Sequence, residues 1–285
     1  MRRRAALLAA LLLVTGCATE QRAAPELVVG SAPDPASVLL ADIYVAALRS
    51  YGFPARREAA PDAMAALAKL DAGEFTVVPA FTGDVLRRLQ PNAAALSDAQ
   101  VYKAMIAALP EGVLAGDYTT AAEDKPALVV TPATAKAWGG GELSELPNHC
   151  EGLVLGKVSG ARVPASVGSC PLPVPREFPD RTTLLAALRS GELTAAWTTT
   201  ATPDTPADLV VLADGKPALI QAENVVPLYR RNALRDRQLL AVNEVAGVLD
   251  TGALADMRRQ VAGGPGRQDP AAVAGAFLAD HPLGR

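Results

Sequence analysis

A twelve-residue stretch, Leu67-Ala-Lys-Leu-Asp-Ala-Gly-Glu-Phe-Thr-Val-Val, returns 118 residues later as Leu185-Ala-Ala-Leu-Arg-Ser-Gly-Glu-Leu-Thr-Ala-Ala. Both copies read as the end of a helix, a glycine stop and a strand. Any parallel sheet contains such units. The shared Gly-Glu-x-Thr goes further and predicts two similar lobes, each presenting a strand end and its loop to a shared cleft. Ligands of open α/β sheets bind at such carboxyl ends.

The remaining pattern agrees. Leu27–Val29 reads as a buried strand ending at Gly30, and Ser31–Pro35 as a turn-rich loop. A helix follows with Leu39, Leu40, Ile43, Ala47 and Leu48 at helical spacing, stopped by Gly52. A second helix carries Met64, Leu67 and Leu70 and stops at Gly73 before a strand over Phe75–Pro79. Ser97 and Gln100 form a capping box ahead of Val101, Met105, Ile106 and Leu109. Ala127–Val130 and Leu209–Leu212 read as further buried strands, and Thr131-Pro132 as the N-cap and first residue of a helix. Strands alternating with helices predict an α/β protein with mostly parallel sheets. With 285 residues and half of them hydrophobic, the chain can bury a sizeable core in about two domains.

The first residues read as an export signal. Arg2–Arg4 form a positive n-region, and Ala5–Val14 is an apolar run of ten residues. About 20 would be needed to span a bilayer, so the run fits a signal-peptide h-region. It ends in Val14-Thr15-Gly16-Cys17, which looks like a lipobox with Cys17 as the lipidated residue. Residues 1–16 are then the signal and 17–26 a tether. Cys150 and Cys170 remain as an even pair in an oxidising compartment, and they are expected to form a disulfide. A zinc site using His149 lacks ligands, because the one other histidine is His281.

Several chemistries are excluded. A net charge of −3 without basic runs makes a poor nucleic-acid binder. There is no G-x-x-x-x-G-K-[ST], no H-E-x-x-H and no G-x-S-x-G; Gly156-Lys-Val-Ser159-Gly has the wrong spacing. Gly139–Gly141 reads as a helix stop. Two histidines leave little acid–base machinery. Neither an enzyme, nor a cofactor, nor a metal is expected.

Five pieces carry a resemblance. They are Val29-Gly30-Ser31 before a helix, Gly73-Glu74-Phe75 running to Pro79-Ala80-Phe81-Thr82-Gly83, Leu209-Val-Val-Leu212-Ala-Asp214, Asn224-Val-Val-Pro227, and the C-terminal Ala271-Ala-Val-Ala-Gly-Ala-Phe277-Leu278. In order and spacing the chain resembles the osmoprotectant-binding lipoproteins of ABC importers, the receptors for glycine betaine, choline and carnitine. The likeness runs from about Leu27 to Leu283. It implies a two-lobed, type II periplasmic-binding-protein-like fold, with helix-flanked sheets and a ligand cleft between the lobes. Lobe I is expected over 27–126 and 205–285 and lobe II over 127–204, with hinges near Asp124–Ala127 and Asp204–Leu209. The implied partners are an ABC permease, an ATPase and a small polar solute such as a quaternary amine. The implied location is the extracytoplasmic face of the cell membrane, reached through the lipid on Cys17.

The family's ligand site carries over imperfectly. Its tyrosine before Thr-Gly is Phe81 here, and its Asn/Asp with a tyrosine two residues on is Asp124 and Pro126. Its second-lobe tyrosines fall on Leu185 and Thr199. One aromatic of four is left, with Trp197 as a stand-in on the strand face of Thr199. Each cation–π contact contributes about 0.5–2 kcal/mol. Losing three costs on the order of 1.5–6 kcal/mol, about one to four decades of affinity. The resemblance therefore implies a depleted aromatic cage and a different polar solute. The expected ligand residues are Ser31, Asp34, Phe81, Thr82, Asp124, Trp197, Thr199 and Thr200. The threonine run 198–200 reads equally well as β-prone strand and loop. A lipoprotein that keeps this fold for a sensory or interaction role is the alternative.

Overall fold

The computed structural model describes residues 25–263 and 266–284. The first lobe begins with β1 (Leu27–Ser31), α1 (Pro35–Ser50), β2 (Ala55–Ala59), α2 (Ala63–Ala72) and β3 (Val77–Phe81). It continues with α3 (Thr82–Leu89), α4 (Asp98–Ala108) and β4 (Val113–Ala115). The chain then crosses to the second lobe, with β5 (Pro126–Val130), α5 (Pro132–Ala137), a 3-10 helix (Leu143–His149), β6 (Leu155–Val158), β7 (Ser166–Val167) and β8 (Cys170–Pro171). After these come β9 (Arg176–Phe178), α6 (Arg181–Arg189), β10 (Ala195–Thr199) and β11 (Val210–Val211). A return crossing leads to β12 (Val225–Arg230), α7 (Asp236–Asn243), α8 (Val245–Val248), α9 (Thr251–Val261) and α10 (Pro270–Asp280).

The two five-stranded sheets run β2-β1-β3-β12-β4 and β11-β5-β10-β6-β9. The repeated sequence thus builds the middle strand of each sheet. Its helices are delimited in the same way. Asp62 and Asp180 cap α2 and α6, accepting the N–H groups of Ala65 and Thr183 at 2.8 Å. Gly73 and Gly191, at φ 81° and 80°, take the left-handed turn that ends each helix and that a side chain would strain.

Parallel pairs form where a helix intervenes, as in β1–β2, β1–β3 and β10–β6, and also between β6 and β9, which are joined through the small β7–β8 hairpin. The strands entered from a crossing, β5 and β12, lie antiparallel to β10 and β3. Each sheet is therefore mixed. Helices cover both faces, and successive residues serve opposite cores: Val77 and Val225 face α1, α9 and α10, whereas Val78 and Val226 face α2 and α4. Burial on both faces is why these strands read as continuous apolar runs.

Some expectations shift. β3 starts two residues later than Phe75 and extends through Phe81. Met64 and Ile106 are nearly half exposed, at 45% and 46%, because each lies at the edge of its helix's buried stripe. The second hinge also moves. Val210–Val211 pairs with β5, and Leu209, Leu212 and Ile220 are buried in the second lobe's cores. Residues 205–220, expected in lobe I, therefore belong with the second lobe. The Pro- and Asp-rich segment before them is a loop that visits the first lobe and comes back. It buries Ala201 in the first core, and its Asp204 pairs with Arg259 of α9 at 2.9 Å. The return crossing lies at Gln221–Asn224. There it runs beside the first crossing as an antiparallel bridge, Glu123 to Asn224, and Asp124 donates its N–H to the Glu223 carbonyl at 2.9 Å.

Cys150 and Cys170 are joined as expected, with 5.6 Å between their Cα atoms, and Cys170 is fully buried in the second lobe's core. Cys17, the signal segment 1–16 and all but the last two residues of the 17–26 tether lie outside the described residues.

Candidate functional site

The carboxyl ends of the two middle strands, Phe81 of β3 and Thr198–Thr199 of β10, meet at a cavity of about 370 Å³ between the lobes. The first crossing supplies Asp124 and Pro126 to its wall and the return crossing supplies Glu223. α6 contributes Arg181, Leu184 and Leu185, and the loop after β6 contributes Ala161–Val163. All four positions expected to correspond to the aromatic cage (Phe81, Pro126, Leu185 and Thr199) line this one cavity. Phe81 and Trp197 are the aromatic residues in its described wall.

An ionic frame surrounds it. Arg87 of α3 pairs with Glu223 and donates to Gln221 at 2.7 Å. Glu223 also accepts the Asp84 N–H at 2.8 Å, in the first turn of α3, where the helix dipole favours a negative charge. The approach is close: a Cβ on Gly83 would lie 2.5 Å from the Ala222 carbonyl oxygen. Burial nevertheless pushes the Glu223 carboxyl up to about 7, against the opposing pull of Arg87. Asp84 pairs with Arg88 at 2.7 Å, and across the cleft with Arg162 of the second lobe at 3.3 Å.

Arg258 of α9 organises the opposite wall. Its terminal nitrogens each lie 2.8 Å from an oxygen of Asp124, and its guanidinium carbon is 5.8 Å from the centre of the Phe81 ring. A third contact, 3.3 Å, reaches the Ala201 carbonyl in the visiting loop. On the second lobe, Arg181 donates to the carbonyls of Pro203 and Asp204.

Of the expected ligand residues, Phe81, Asp124, Trp197 and Thr199 come together on the cavity wall. The others do not. Ser31 is buried at the end of β1. Asp34 caps α1, accepting the Ser37 N–H at 2.9 Å. Thr82 is fully buried and accepts the Asn224 N–H at 3.1 Å, tying α3 to the return crossing. Thr200 donates its hydroxyl to the Glu123 carbonyl at 3.0 Å, so it pins β10 to the first crossing. Asp34, Thr82 and Thr200 are taken up by capping and crossing bonds, whereas the buried Ser31 hydroxyl meets no partner among the described residues. Thr202 is on the wall in place of Thr200; it binds the hydroxyl of Thr198 at 2.7 Å and the Thr199 N–H at 3.0 Å. Sequence reasoning missed the charged frame of Asp84, Arg87, Arg162, Arg181, Glu223 and Arg258. The one available signal was Glu223, adjacent to the Asn224-Val-Val-Pro segment.

Comparison with known proteins fits this geometry. A family model described as the substrate binding domain of ABC-type glycine betaine transport system matches residues 25–166 and 177–280. Among solved structures, the chain is similar to apo YehZ from Escherichia coli, at TM-score 0.69 and 18% identity over 91% of this chain and 99% of that one. It is similar also to a glycine betaine/carnitine/choline ABC transporter protein, at TM-score 0.71 and 18% identity over 90% and 98%. An ABC-transporter choline binding protein in complex with choline matches at TM-score 0.55 and 13% identity, over 90% and 89%. A search of curated protein sequences returns no significant match.

Proposed function

The chain belongs to the family of substrate-binding domains of ABC-type glycine betaine transport systems, and we propose that it is a lipid-anchored receptor that captures a small polar solute between its lobes. Members of this family are extracytoplasmic solute receptors, not enzymes, and deliver to an ABC permease driven by its ATPase. What is proposed for this chain is the anchor at Cys17, the division into lobes at the two crossings, and a ligand other than a well-caged quaternary amine.

The observation that carries the reading is an interlobe cavity into which both repeat-derived strand ends open. A solute touching Phe81 from one lobe and Thr199 from the other gains contacts only when the lobes close, so its binding favours closure. The ligand reading rests on the cage positions: Pro126, Leu185 and Thr199 offer no π face, and each missing face removes about 0.5–2 kcal/mol of attraction for a trimethylammonium group.

A thermal-shift panel of small polar solutes, followed by small-angle scattering with any hit at saturation, tests it. Stabilisation with a reduced radius of gyration is expected for at least one solute. A panel without hits, or a hit that leaves the radius unchanged, overturns the receptor reading.

A further inference from the structure

A quaternary ammonium could seat itself in this cavity against two groups, the ring of Phe81 and the carboxylate of Asp124. Arg258, which stands behind the lining rather than in it, already engages both. The guanidinium of Arg258 lies 5.8 Å from the ring centre and 2.8 Å from each Asp124 oxygen, and the Ala201 carbonyl holds it from the other lobe. Guanidinium does not deprotonate in proteins. A second fixed cation there would meet like charge with the π face and the counter-ion already engaged. The other two carboxylates in the wall are engaged as well, Asp84 by Arg88 at 2.7 Å and Glu223 by Arg87.

Donors, by contrast, are in surplus. Arg181 bonds neutral carbonyls, while the Asp204 carboxylate turns instead to Arg259 at 2.9 Å. Trp197 is 2% exposed, and its indole N–H meets no acceptor among the described residues. Between these donors the wall is aliphatic, from Val158, Leu184 and Leu185. A guanidinium without a carboxylate partner, beside an apolar wall, suits a solute that carries an acceptor on an uncharged body.

We propose that Arg258 is a resident cation that takes up Phe81 and Asp124, the two groups an ammonium would use, and that the cavity takes small carboxylates with an aliphatic body and no fixed cation, their carboxylate bound by Arg181. This inference rests on the receptor reading and narrows its ligand class.

Carbon-for-nitrogen isosteres test it. 3,3-Dimethylbutyrate has the shape and carboxylate of glycine betaine without the positive charge, and choline has the charge without the carboxylate. Titration calorimetry on the mature chain should show 3,3-dimethylbutyrate binding at least tenfold tighter than glycine betaine, with choline weaker still. Arg258→Met, which keeps the aliphatic stem, should reverse this order and tighten choline at least tenfold. Adding Asp124→Asn to it should abolish that gain. Arg181→Met should weaken 3,3-dimethylbutyrate at least tenfold. Arg258→Ala serves as a second variant should the first unfold.

Wild-type preference for glycine betaine or choline overturns the proposal and leaves the receptor reading intact. An unchanged order in both Arg258 variants has the same consequence. Wild-type indifference to 3,3-dimethylbutyrate, with compaction by some other solute, overturns the carboxylate assignment alone. Failure of every solute in the panel to compact the protein counts against the receptor reading itself.

Discussion

Replacing Glu223 by Gln changes how stability follows pH. Glu223 is 5% exposed, where the return crossing passes under α3, and burial lifts its pKa from the usual 4.5 to about 7. A carboxyl whose pKa is raised by folding holds its proton more tightly in the native state than in the unfolded chain. Its contribution to stability is therefore fully present below pH 4.5 and is lost as pH climbs to about 7. At about 1.4 kcal/mol per pH unit, that window corresponds to roughly 3 kcal/mol. Gln keeps the shape and still accepts the Asp84 N–H, but it does not titrate. Urea unfolding of both proteins between about pH 4.5 and 8 isolates the effect, because carboxylates common to both cancel. The stability of the wild type minus that of Glu223→Gln should fall by roughly 3 kcal/mol on going from pH 4.5 to 7 and then level off. A flat difference refutes the reasoning. A difference rising with pH would mean that the Arg87 pair outweighs burial.

Two further perturbations follow from the second lobe and the N-terminus. Cys150→Ala with Cys170→Ala opens a loop of 20 residues and should lower unfolding stability by about 3 kcal/mol, read as a lower urea midpoint; an unchanged midpoint would show that the bridge contributes nothing. Cys17→Ser should move the protein from the membrane fraction to the soluble one, and retention of a cleaved Cys17→Ser protein on the membrane would point to a different anchor.

The fold was legible where local chemistry and tertiary structure agree. The repeated helix, glycine and strand announced the two lobes because Gly73 and Gly191 act through their own backbone, independent of neighbours. The same repeat led to the cavity, since a strand's carboxyl end opens where its sheet stops. The charged frame was illegible for the opposite reason. Arg87, Arg162, Arg181, Glu223 and Arg258 sit on five separate segments, and each alone is indistinguishable in sequence from a solvated surface charge. Only the packing of two lobes turns them into partners. The hinge near Asp204–Leu209 followed from the resemblance and its two crossings, not from a local signal. Leu209–Leu212 was legible as a buried strand, but nothing in its apolar pattern says which sheet it joins, and β11 pairs with β5 of the second lobe.

The two crossings also impose an order of assembly. The second lobe is one uninterrupted stretch between them, whereas the first is built from both ends of the chain. In the first lobe's core, Leu39, Ile43 and Leu48 of α1 gather with Val273, Ala274 and Phe277 of α10, more than 220 residues downstream. A chain that emerges N-terminus first exposes the apolar face of α1 long before α10 exists to cover it. The second lobe meanwhile has everything it needs to collapse on its own. Such distant pairings slow folding and leave apolar surface uncovered. The lobe that begins the sequence therefore cannot complete its core until α10, at the other end of the chain, is present.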